Sequence, residues 1–300
     1  MACRFEDVIT GERIQSLAEV TVLTPSNFEY HTSLPDSGVA EAVIFQGSHN
    51  RLTPNPEAIE RLRRCKSIFV YTHLVASFFE QVLPQLNHRF VLITHNSDAE
   101  VDARFWAALA DPRIVHWYAM GVKVEHPKLT PVPAGVANAM WPHGDVNALV
   151  AAAAAAPAER KPVVYCNFDV RTNPGVRAPL REKLARSDVT WMAPVRPYGD
   201  FLGDMASCRW CVSPPGNCFD AHRTWEALYL GVVPILARTG PIEWLHSGLP
   251  VILVDDLGAI DGAFIAREQA ALERRTFELE KLTMRYWYKR VMASIAQAGA

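Results

Sequence analysis

The sequence predicts an α/β protein of two domains, each a parallel sheet covered by helices, and three observations lead there. Short runs rich in Val, Ile, Phe and Tyr alternate with helical stretches along the 300 residues, which is the rhythm of right-handed βαβ units. That rhythm breaks between Pro157 and Pro162, where Glu159, Arg160 and Lys161 intervene, and then restarts. Apolar residues make up 49% of the chain, enough for a packed core in each half. Two Rossmann-like domains are therefore expected, over residues 1–157 and 158–300.

In chain order, Val20–Leu23 reads as the first strand, with Pro25-Ser26-Asn27 and Pro35-Asp36-Ser37-Gly38 as turns. Glu41–Phe45 is a strand that ends in the polar loop 46–50. A short basic helix Ile59–Arg64, a strand Ser67–Tyr71, an apolar helix Val75–Leu86 and a strand Arg89–Thr94 follow. Helix Phe105–Leu109 and strand Ile114–Trp117 come next, and Leu129–Gly135 returns the chain to the sheet edge. Asp145 caps a helix that runs through the alanine tract 151–156.

The second half repeats the pattern with strands Val163–Cys166, Val189–Met192, Arg209–Val212, Val232–Leu236 and Pro250–Val254. Helices Val176–Ala185, Tyr198–Ala206 and Pro241–Ser247 connect them, and a helical C-terminus starts near Asp261 and is expected to pack back on the first domain.

Composition excludes several function classes. The formal charge is −2 with both signs interspersed, and no basic stripe carries interleaved aromatics, so nucleic acid is not an expected partner. The first ten residues contain acids where a signal peptide needs an apolar core, and no run of 18 apolar residues occurs, which reads as a cytoplasmic protein. Six cysteines lie mostly within apolar segments as reduced thiols would. Cys208-Arg-Trp-Cys211 has redox or zinc spacing, but it precedes a strand and no second pair completes a metal site. No Gly-x-Gly-x-x-Gly follows a strand, which argues against a nicotinamide dinucleotide.

The most informative stretch is Ser213–Leu236. Pro214-Pro215-Gly216-Asn217 ends a strand and turns the chain; Asp220 is suited to cap a helix, Trp225, Leu228 and Tyr229 recur at helical spacing, and Gly231 supplies the stop. A glycine loop feeding a helix start presents unpaired N–H groups and the positive end of the dipole, which suits a diphosphate. Gly216 and Asn217 in the loop, Asp220 at the helix cap, and His222 and Arg223 in the first turn are the expected donor contacts, and Glu226 is suited to two vicinal ribose hydroxyls. The plainer alternative is a surface helix decorated by Asp220 and Glu226, with Arg223 paired to Glu226.

The pattern Pro-Pro-Gly-Asn-x-x-Asp-x-His-Arg-Thr-Trp-Glu-Ala-Leu-x-Leu-Gly-x-x-Pro-Ile over 214–235 resembles the nucleotide-sugar-binding core of exostosin-like glycosyltransferases. Weaker echoes include Pro127-Lys128-Leu129 and Pro133–Asn138. The family's long N-terminal extensions are missing, so its substrates do not carry over. The resemblance implies the GT-B architecture, two Rossmann-like domains facing across a cleft, with a nucleoside-diphosphate sugar bound by the second.

Two further constellations follow from the alternation, because ligands sit at the carboxyl ends of parallel strands. Arg171 and Arg177 flank the Pro174-Gly175 turn after the first strand of the second domain, and either can reach a diphosphate in concert with Arg223. In the first domain Ile93-Thr-His-Asn-Ser-Asp98 ends a strand, and His95 or Asp98 is the expected general base, with His73 a third choice and a plain capping turn the alternative.

The expected activity is transfer of a sugar from a nucleoside-diphosphate donor to an acceptor hydroxyl on a glycan or a lipid-linked molecule. It is read as inverting, with cationic side chains in place of a metal and no cofactor beyond the donor. A non-catalytic nucleotide or glycan binder is the alternative. The basic aromatic segment 272–291 is read as a packed helix, with peripheral contact to an anionic inner membrane surface as the other possibility.

Overall fold

The computed structural model describes residues 3–27 and 41–299. The turn expected at Pro35–Gly38 lies outside them. The chain separates into two compact units, one of residues 9–134, 138–140 and 284–300, the other of residues 1–8, 135–137 and 141–283.

The first unit carries strands β1 (Val20–Leu23), β2 (Glu41–Ile44), β5 (Ser67–Tyr71), β6 (Phe90–His95), β7 (Ile114–Ala119) and β8 (Leu129–Pro131) in one sheet of order β2-β1-β5-β6-β7-β8. Every neighbouring pair is parallel. All residues of β5 and β6 are buried, as expected when helices cover both faces of a parallel sheet. The polar loop after β2 contains a small antiparallel hairpin, β3 (Gln46–Ser48) and β4 (Arg51–Thr53), that polarity alone concealed.

The apolar helix predicted over Val75–Leu86 forms in three pieces: an α turn Val75–Ser77, a π turn Phe78–Val82 and a 3-10 turn Leu83–Gln85. Pro84 lacks the N–H that a continuous helix requires. The final helix, Met284–Ala298, packs on β6 and β7, buries Trp287 and Val291, and accepts a 2.9 Å hydrogen bond from Tyr118 Oη at the Arg290 carbonyl.

The second unit carries β9 (Lys161–Cys166), β10 (Thr190–Met192), β11 (Cys208–Val212), β12 (Val233–Ala237) and β13 (Ile252–Val254) in the order β10-β9-β11-β12-β13, again all parallel. One face of this sheet meets Leu180 and Leu184 of helix Pro174–Leu184 and Phe264 and Ile265 of helix Gly262–Leu272, closing a core around Val164, Trp210 and Ile235.

The division between units falls between residues 134 and 141, and not at the expected 158. Helix Val146–Ala154 buries Val146 and Leu149 and packs on helices Tyr198–Ala206 and His222–Tyr229, so it belongs to the second sheet despite preceding the Pro157–Pro162 break. Both units are parallel α/β folds, as the alternation predicts. Among the described residues no helix is long and apolar enough to cross a membrane.

Candidate functional site

Strand order locates where a ligand can enter the second unit. From β9 the chain steps to β10 on one side and then crosses to β11 on the other, so the order reverses between β9 and β11. In open parallel sheets ligands bind outside the carboxyl ends of the strands at such a reversal. The loops leaving these two strands, 167–173 and 213–221, contain Arg171, Gly216, Asn217 and Asp220, and the helices that follow them carry Arg177, His222, Arg223 and Glu226.

Arg177 ties the two loops together. The side chain is buried, with 5% of the residue exposed. Its Nε donates to the Pro215 carbonyl at 2.9 Å, Nη2 to the Pro214 carbonyl at 2.9 Å, and Nη1 to the Asp169 carbonyl at 2.8 Å and to Thr172 Oγ1. Asn173 Nδ2 adds a bond to the Gly216 carbonyl at 3.2 Å. A Cβ on Gly216 would lie 3.0 Å from Arg177 Nη2, so the loop needs glycine there for close approach. Burial first, and the Arg223 charge second, pull the Arg177 pKa down to about 10. The expectation that Arg177 grips a diphosphate is thus corrected: its donors are committed to the carbonyls of Asp169, Pro214 and Pro215 and to Thr172 Oγ1. Arg171 is exposed, and Asp169 binds its guanidinium at 2.7 Å from Nη2, so a phosphate must compete with that carboxylate.

The central helix spans His222–Tyr229, with Ala221 in the N-cap position and no side-chain cap. Gly231, at φ 68°, closes it, with the Gly231 N–H donating to the Leu228 carbonyl at 3.1 Å. The predicted cap, Asp220, has turned inward. Both its oxygens accept from Trp225 Nε1 at 3.0 Å, and His246 Nε2 stands 3.7 Å away. A buried indole N–H demands an acceptor, and Asp220 is the group in reach. This corrects both its capping role and its expected contact with the donor, and it leaves the helix start with no side-chain cap, where the Thr224 N–H turns back to the Ala221 carbonyl at 2.9 Å. Beside this start a shallow pocket is lined by Ser213, Phe219, Thr224, Ala237, Thr239 and His246.

Two first-turn side chains are held at this helix start. The His222 Nδ1–H donates to the Gly135 carbonyl at 2.7 Å. Arg223 lies over the Phe201 ring at 5.9 Å, and its buried Nε has no hydrogen-bond partner among the described residues. Arg223 is near enough to Arg177 to depress that pKa. A second guanidinium beside a buried one, with an unsatisfied N–H, is costly unless an anion joins it. Asn217 is exposed at the loop tip.

Glu226 lies one turn after Arg223 on the same helix. Fully buried, it accepts from Tyr198 Oη at 3.0 Å, and burial lifts its carboxyl from the ordinary 4.5 to about 7, with Arg223 and the Tyr198 hydrogen bond opposing. Tyr198 therefore already holds one oxygen of this buried carboxylate, and a ribose would have to share it. Tyr198 and Phe201, an aromatic i,i+3 pair after Pro197, stack with centroids 6.1 Å apart, and that spacing is the sequence signal of one packed face.

The Glu226 shift has a testable sign. Between about pH 4.5 and 7 the folded state keeps a proton that the unfolded chain has released. The contribution to stability is therefore complete below pH 4.5, falls as the pH rises to about 7, and is constant above; the loss is about 3 kcal/mol. Glu226→Gln is expected to abolish this part of the pH dependence. Urea unfolding of both proteins at pH 5 and pH 8 measures it, and identical slopes for the two would refute the assignment.

In the first unit the expected base His95 is buried, and both ring nitrogens are engaged. Nδ1 accepts from the Asn96 N–H at 2.7 Å and Nε2–H donates to the Pro133 carbonyl at 2.8 Å. Gly11 packs so closely that a Cβ there would stand 2.7 Å from Nδ1. His95 is therefore a structural histidine, and its proposed role as base is corrected. Asp98 is exposed on the loop that follows.

The strand order of this unit reverses between β1 and β5. Thr24 and Asn27 follow β1 there and His73 follows β5: Thr24 Oγ1 donates to Asn27 Oδ1 at 2.6 Å, and Asn27 Nδ2 to His73 Nε2 at 3.3 Å. His49 stacks on His73 with centroids 4.5 Å apart. Burial, and then His49, lower the His73 pKa to about 4, so the ring is neutral with its proton on Nδ1. Of the residues named from the sequence, His73 lies at this reversal, whereas His95 and Asp98 come at the end of the neighbouring strand β6 and just after it.

No family model and no curated protein matches the sequence. Several solved structures are similar in fold. A glycotransferase of kitacinnamycin matches at 11% identity and a TM-score of 0.40, covering 96% of this chain and 93% of that one. A spinosyn rhamnosyltransferase complexed with spinosyn aglycone matches at 12% identity and a TM-score of 0.41, covering 93% and 96%. Sucrose-phosphate synthase from Thermosynechococcus elongatus matches at 14% identity and a TM-score of 0.40, covering 94% and 97%.

By its own geometry, the opening at β9 and β11 can bind an anion through an uncapped helix start and one available guanidinium. Among the described residues no group of three or more His, Cys, Asp or Glu could hold a metal ion.

Proposed function

We propose that the chain is a glycosyltransferase of the exostosin-like, GT-B kind, which transfers a sugar from a nucleoside-diphosphate sugar to an acceptor hydroxyl on a glycan or lipid-linked molecule. The observation that carries this reading is Arg223, charged, half-buried and with an unsatisfied Nε, at the uncapped start of the His222–Tyr229 helix. A diphosphate supplies the oxygens this arrangement lacks. In an inverting displacement the acceptor oxygen forms a bond to the anomeric carbon as the bond from that carbon to the phosphate oxygen breaks. The departing diphosphate keeps the electron pair and gains charge facing Arg223, the demand a preorganised cation meets. The acceptor proton passes to a base, for which Asp98 is the proposed group. The charge at Arg223 and the helix start does the work a metal does elsewhere, so the proposed reaction uses none.

Thermal shift against uridine, guanosine, adenosine and thymidine diphosphates and their hexose conjugates tests the donor class. One family is expected to stabilise by about 2.7 kcal/mol at a hundredfold excess over its dissociation constant. Release of that diphosphate from the conjugate upon addition of an acceptor distinguishes an enzyme from a binder. No stabilisation by any of them would overturn the reading.

A further inference from the structure

Three rings lead from solvent to the helix start. Trp141 is 46% exposed, far more than an indole of the core, and its ring stacks on His143 with centroids 6.4 Å apart and planes 23° from parallel. His143 in turn meets His222 at 6.3 Å and 53°. His222 is fixed by its bond to the Gly135 carbonyl, and Gly135 itself takes φ 64°, a conformation that favours glycine. All of these residues belong to the second unit, and the series ends beside Arg223.

We infer that Trp141, His143 and His222 form a stacking subsite for the sugar ring of the donor, an inference that rests on the donor reading above. A pyranose offers a face of C–H groups that packs on an aromatic surface, while its rim of hydroxyls needs both donors and acceptors. A neutral imidazole supplies one of each. Burial, and then the charge of Arg223, lower the His143 pKa, which keeps the ring in that neutral form. The exposed indole provides the surface, at the outer end of a series whose inner end lies at the proposed diphosphate. A nucleobase can stack on the same indole, but it offers fewer groups that both donate and accept than the hydroxyl rim of a pyranose does, so the sugar is the better fit.

The test uses the full chain and its Trp141→Ala and Trp141→Phe variants, titrated calorimetrically with UDP, GDP, UDP-glucose and GDP-mannose. Trp141→Ala is expected to lose about tenfold in affinity for the nucleotide sugar while binding the matching nucleoside diphosphate like the wild type, and Trp141→Phe to keep most of the affinity. Equal loss for diphosphate and sugar conjugate would overturn the inference in favour of a nucleobase platform, and no loss for either would overturn it outright. If the wild type binds none of the four, the donor reading fails. The subsite is then decided by nuclear magnetic resonance, where an unmoved Trp141 indole N–H signal at saturating methyl glucoside overturns it and a shifted one supports it.

Discussion

Arg223→Ala is expected to weaken binding of the nucleoside diphosphate by about a hundredfold, to lower turnover as well, and to leave the ligand-free protein as stable as the wild type or more so. The first two effects follow from a charge-assisted contact that strengthens as the leaving group gains charge, worth a few kcal/mol in total. The third follows from the buried Nε without a partner: the ligand-free fold bears the desolvation of that group, and truncation relieves it. Arg223→Lys should recover little, because a point charge cannot lie over Phe201 and present a planar fork. Titration with the free nucleoside is the control, since its affinity should barely change. A variant that still prefers diphosphate over nucleoside by the wild-type factor would remove the phosphate assignment. A melting temperature well below wild type would make Arg223 a structural residue.

The neighbouring guanidinium should behave in the opposite way. Arg177→Ala is expected to destabilise the ligand-free protein by about 2–4 kcal/mol, because it removes a buried side chain that ties two loops and leaves the carbonyls of Asp169, Pro214 and Pro215 without that donor. Diphosphate binding should weaken too, as a consequence of a loosened 213–221 loop. Arg177→Lys should regain less than half of the stability, since an ammonium cannot span carbonyls from two loops as the guanidinium does. Urea unfolding measures both variants. Stability within 1 kcal/mol of wild type, together with lost diphosphate affinity, would reinstate Arg177 as a phosphate ligand.

Sequence reading treated these two arginines alike, and the reason it did so is instructive. Both follow a turn at the carboxyl end of a strand, and both begin a helix. Residue type and spacing carry no information about whether a guanidinium meets backbone carbonyls or open space. The same limit explains Asp220, which has the right identity for a cap and the right position, yet turns toward Trp225 because that indole needs an acceptor. It explains His95 as well, where a strand-end histidine is enclosed by Gly11, Asn96 and Pro133 from three separate segments.

The sequence by itself determined the elements and their class. Apolar runs of four to six residues between helical stretches require parallel strands, because only a sheet covered on both faces buries such runs completely. It also determined the loop and glycine stop around the His222–Tyr229 helix, since proline, glycine and left-handed backbone are local constraints. Tertiary structure alone decided which face each polar side chain took, where helix Val146–Ala154 belonged, and which of two adjacent arginines was left for a ligand. Those outcomes depend on the hydrogen bonds and burial that segments distant in sequence offer one another, and a buried polar group takes whichever partner the fold brings to it.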